Sequence, residues 1–71
     1  MNFKQATDAL LESVTLEDFG KVMGVSVQAI RQARAAKGSA AHRAPPEGWE
    51  NGVRTLSREK ARSLQRLYKS L

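Results

Sequence analysis

The 71-residue sequence contains no cysteine, one histidine, two prolines and four aromatic residues, and each scarcity removes a class of protein. Without cysteine, neither a disulfide nor a thiolate metal site can brace the chain. A lone histidine (His42) with no paired ligand excludes an imidazole-based metal centre and a catalytic triad, and makes His42 a surface or phosphate-contacting side chain. No glycine-rich phosphate loop, acidic cluster or nucleophile–base pair is visible. The expectation is therefore no enzyme, no cofactor and no small-molecule ligand. No apolar run approaches the ~20 residues of a membrane span, and no signal-peptide pattern is present. A soluble protein of the cytoplasm is expected. A chain of this length forms one small domain with marginal buried surface, so association with a second copy is the expected support.

Charge is present but unevenly spread. The net charge is +5. Residues 1–25 hold Lys4 and Lys21 against Asp8, Glu12, Glu17 and Asp18, a net −2. Residues 26–44 hold Arg31, Arg34, Lys37 and Arg43 with no acid, a net +4. Residues 45–71 hold six basic residues against Glu47, Glu50 and Glu59, a net +3. A polyanion is the natural partner of such a block, and nucleic acid is the commonest polyanion.

The acid-free block begins inside the most structured stretch, Thr15 to Lys37. Thr15 is a good N-cap, Asp18 stands at N3 of a capping box, and Val14 and Phe19 have the spacing of a hydrophobic staple. Val14, Phe19 and Val22 suggest one buried stripe; Val25, Ile30 and Ala33 suggest a second. Gly24 falls where the first helix should stop, in the left-handed conformation glycine tolerates. Ser26 can cap the helix that follows. Gly20 provides a small residue where the two helices approach.

This helix, glycine turn and helix resemble the helix-turn-helix of phage Cro and repressor proteins. Counted from Leu16, the aromatic Phe19 stands in at the family's aliphatic fourth position, Gly20 is its small fifth position and Gly24 its ninth-position glycine. Val25 and Ile30 occupy the aliphatic tenth and fifteenth positions. The run GVSVQAIRQA, Gly24 to Ala33, resembles the turn and recognition helix most closely. The resemblance covers about a third of the chain. It implies double-stranded DNA as partner, with a homodimer on an inverted repeat regulating transcription, most simply as a repressor carried by a phage or other mobile element.

Within the expected recognition helix, Ser26 to about Lys37, the core takes Val25, Ile30 and Ala33. Val27, Gln28, Arg31, Gln32 and Arg34 are left outward. Glutamine can pair with adenine and arginine with guanine, each through two hydrogen bonds in the major groove. Gln28, Arg31 and Gln32 are the candidate base readers. Val27 either meets a thymine methyl or packs on the first helix. Ser26, Arg34, Lys37 and Arg43 are candidates for phosphate contacts, which set register without reading sequence; Ser26 is equally a simple cap.

The flanks are expected to complete an all-α domain. Asn2 to Ser13 reads as a first helix, capped by Asn2 with Gln5 at N3 and striped by Phe3, Ala6, Leu10 and Val14, which Leu11 widens. Asp8 and Glu12 read as solvated. Gly38 to Ala44 reads as a loop, with Gly38 stopping the recognition helix. Residues 45–71 admit two readings. One is a helical segment opened by Pro45 and Pro46, either continuous or broken at Asn51-Gly52 and recapped by Ser57. The other resembles the wing and following helix of MerR-type regulators and excisionases, with Asn51-Gly52 as a hairpin turn, and implies an architectural DNA-binding protein. Helix is favoured. Its stripe runs through Trp49, Val53, Leu56, Leu64, Leu67, Tyr68 and Leu71 and exceeds what three short helices can cover. Leu64, Leu67, Tyr68 and Leu71 are therefore the expected dimer interface. A third reading is a protein-interaction module, such as an anti-activator, using the basic face.

Overall fold

Two reciprocal caps start the first half of the fold. The Asn2 side chain accepts from the Gln5 N–H at 2.8 Å, while Gln5 Oε1 accepts from the Asn2 N–H at 3.1 Å. This box opens α1, Phe3–Leu10. Thr15 and Asp18 repeat the arrangement, at 3.1 and 3.4 Å, to open α2, Leu16–Met23. Gly24, at φ 69°, ends α2, and the Val25 N–H returns to the Gly20 carbonyl at 3.0 Å. Ser26 then caps α3, Val27–Arg34, by accepting from the Ala29 N–H at 3.1 Å. A long α4, Trp49–Ser70, completes the chain. The computed structural model describes residues 1–71, is all-α and contains no strand.

The core is a single cluster of Phe3, Leu10, Phe19, Ile30, Ala33 and Leu56, with Val14, Leu16, Met23, Val25, Trp49 and Val53 packed around it. Phe19 and Ile30 are fully buried. Phe3 lies between two aromatic partners, 6.1 Å from Phe19 and edge-on to Trp49 at 5.3 Å, ring centre to ring centre. That contact ties the first turn of α4 to the first turn of α1. Helices α1 and α2 each pack on both α3 and α4, whereas α3 and α4 do not meet. One face of α3 is thus left free of the long helix.

Several expected details are corrected. Val22 is 41% exposed, and Leu16 and Met23 join Phe19 on the buried face instead. Gly20 has to face α3, and at 100° per residue that turns Val22 outward. Helix α1 ends at Leu10, because the N–H groups of Glu12 and Ser13 bond three residues back and close the turn. Helix α3 ends at Arg34, short of Gly38, which has no left-handed conformation. Its last carbonyls are taken by the returning loop: Gln32 O accepts from the Arg43 N–H at 3.0 Å, and Ala35 O accepts from His42 Nδ1 at 2.8 Å. His42 is therefore a half-buried capping group.

The C-terminal segment is one helix. Pro45 and Pro46 precede it, and Gly48, at φ 79°, turns the chain into Trp49. Asn51 and Gly52 form neither a hairpin turn nor a break, and no wing exists at Glu47–Thr55. Gly52 is buried against Met23 and Phe19 of α2, so its lack of a side chain serves close packing. Ser57 lies inside the helix. After Leu56 every residue of α4 is exposed, and the helix leaves the body as an arm. The molecule measures 49 × 20 × 16 Å in consequence.

Candidate nucleic-acid interface

Helix α3 is held against α2 at a distance only glycine permits. A Cβ on Gly20 would stand 2.8 Å from the Val25 carbonyl oxygen and 3.4 Å from Ile30 Cδ1. Ile30 and Ala33 fill the interior. The opposite face of α3 carries Gln28, Arg31 and Gln32, which fall next to one another at 100° per residue. Gln28 and Arg31 are exposed and Gln32 half-buried. None of the three side chains makes a hydrogen bond or ion pair within the chain. Val27 is half-buried at the edge of this face, next to the capping Ser26.

Arg34 does not point outward. It lies four residues after Ile30, hence on the same side of α3, and its side chain is 19% exposed. Its Nη2 donates to Asp8 Oδ1 on α1, and its Nη1 is buried with no partner. Asp8 also accepts from Lys4 Nζ at 2.7 Å, so one carboxylate bridges two cations. The Lys4 hydrogen bond holds the Asp8 carboxyl below its usual pKa; the charges of Lys4 and Arg34 add to this, and partial desolvation opposes it. Asp8 is therefore a structural partner of the arginine, not a free solvated acid. The sequence carried no local sign of this pairing, since the two residues lie 26 positions apart on different helices.

With Arg34 neutralised, the cations near the α3 face are Arg31, Lys37 and Arg43, all exposed and unpaired. Lys37 and Arg43 sit in the segment that folds back onto the end of α3, and the Arg43 backbone is fixed there by its bond to Gln32. Three polar side chains that can read base edges thus stand on the free face of α3, the exposed Lys37 and Arg43 follow in the segment folded back onto its end, and no acidic residue interrupts residues 26–44. At the far end, Leu64, Leu67, Tyr68 and Leu71 stand in solvent on the arm. No group of histidine, cysteine or acidic residues converges as a metal site, and no helix is long and apolar enough to cross a membrane. No protein-family model, curated protein or solved structure matches the chain.

Proposed function

We propose that the chain is a sequence-specific regulator of transcription that binds double-stranded DNA through α3, in the manner of the Cro-type helix-turn-helix proteins it resembles. The single observation that carries the reading is the free face of Gln28, Arg31 and Gln32, presented by a helix whose other side is locked to α2 at Gly20. An eight-residue helix is about 12 Å long and narrow enough for the major groove. Val27 completes the reading edge. Lys37 and Arg43 contact phosphates, with Ser26 at the positive end of α3, while Arg34 positions the helix from behind through Asp8.

One such helix covers few base pairs, so the functional unit is a homodimer joined through Leu64, Leu67, Tyr68 and Leu71. It occupies an inverted-repeat operator in the cytoplasm and represses by occluding a promoter. The architectural, excisionase-like alternative loses its main feature, since residues 47–48 form a turn and 49–55 are helical, with no strand.

Substitution of Arg31 tests the reading. Arg31→Ala should weaken binding to the preferred duplex by about 1–3 kcal/mol and relax choice at one base position. Equal losses on all duplexes would remove Arg31 from the reading face. Failure of the wild type to bind any duplex at low salt, with capture of an acidic protein instead, would favour an interaction module.

A further inference from the structure

The arm formed by residues 57–71 is an amphipathic helix with no intramolecular cover. Its apolar stripe continues the line of Trp49, Val53 and Leu56, which pack on the body, into Leu64, Leu67 and Leu71, with Tyr68 alongside. Arg58, Arg62, Arg66 and Lys69 lie on the other side. Where the arm leaves the body, α1 and α4 enclose an apolar groove of about 400 Å³, lined by Ala6, Leu10, Val53, Ser57 and Ala61 among others. Beyond Val53 the α4 side of the groove alternates small and large residues: Ser57 and Ala61 with Lys60 and Leu64.

We infer that two copies associate by antiparallel pairing of their arms about a twofold axis at Leu64, each arm entering the α1–α4 groove of the other copy. This rests on the dimer in the proposed function but is independent of DNA binding. Side-chain size and charge fix the register. With Leu64 facing the partner's Leu64, Ala61 faces the partner's Leu67 and Ser57 the partner's Leu71. Small positions then receive large ones, the alternation that fills a helix interface without voids. The partner's Leu71 lands at Ser57, over the groove.

Charge argues the same way. Lys60 lies on the midline of the stripe, four residues after Leu56 and four before Leu64. In a parallel, in-register pair the two Lys60 ammonium groups would confront each other inside the interface, the arrangement like charges penalise most. In the antiparallel register Lys60 faces the partner's Tyr68, whose ring covers the lysine stem and attracts the cation. The acidic first third of the chain, net −2 over residues 1–25, also receives an arm that carries five basic residues against one acid.

The absence of native cysteine makes disulfide trapping a direct test, since a symmetric disulfide needs Cα atoms within about 7 Å. Single variants L64C, L67C, L71C and S57C replace exposed arm residues, so the body should fold in each, as circular dichroism will verify. Sedimentation equilibrium should show a dimer for the unmodified chain. L64C should then oxidise to a covalent dimer at least about tenfold faster than L67C or L71C. An equimolar mixture of S57C and L71C should cross-link at least about tenfold faster than either alone. Self-linking of L67C and L71C without preference for the mixture means parallel arms and overturns the arrangement, while the dimer stands. A dimer in which L64C does not link also overturns it. A chain that remains monomeric overturns both the arrangement and the dimeric reading.

Discussion

Asp8 couples its own ionisation to the packing of α1 on α3. Its carboxylate joins Lys4 in its own helix to Arg34 in α3, and its pKa is held below the usual value. A carboxyl depressed in the folded state contributes stability that is present above its unfolded pKa, near 4, and is lost as pH falls through the lower folded value. Unfolding followed between pH 5 and pH 2 should therefore lose an increment in the wild type that Asp8→Asn lacks at every pH. If the two profiles run parallel throughout, the bridge contributes nothing. Gly20 is the second sensitive position. Ala there brings Cβ to 2.8 Å from a backbone oxygen, which cannot swing aside as a side-chain tip would. Gly20→Ala should cost about 1–3 kcal/mol in denaturant unfolding despite alanine's better helix propensity. A neutral or stabilising result would mean that α3 does not sit this close to α2.

Helices differ in how plainly the sequence announces them. Both capping boxes, the Gly24 turn and the Ser26 cap were legible because each is a local pattern of a few residues with its own hydrogen bonds. The core positions Phe19, Ile30 and Ala33 were legible from spacing. What escaped was set by contacts between distant segments. Arg34 looks outward until α1 supplies Asp8. Gly38 looks like a stop until His42 and Arg43 return to end α3 earlier. Asn51-Gly52 looks like a turn until Met23 and Phe19 fill the space a side chain would have taken. The arm is the element whose state depends on its surroundings, since fifteen exposed residues make at best a marginal helix in water. Amide exchange beyond Lys60 should thus be fast at low protein concentration and slow as concentration rises, while amides of Trp49–Leu56 stay protected throughout. Protection of the arm independent of concentration would show that it does not need a second copy.

The whole molecule has two ends with different duties: a body that fixes α3 and an arm that carries uncovered apolar surface. Joining two bodies through their arms doubles the reading surface and repeats it with twofold symmetry, which an operator would mirror. The net charge of +5 adds a sequence-independent attraction that weakens as salt rises. Whether α3 reads a specific duplex is decided by selection of bound sequences from random double-stranded DNA at near-physiological salt. A duplex-reading α3 should recover an inverted repeat with half-site centres about one helical turn, 34 Å, apart, and the recovered bases should shift when Gln28, Arg31 or Gln32 is replaced. No enrichment over the starting pool would contradict it, and the free face of α3 would then have to belong to a protein partner.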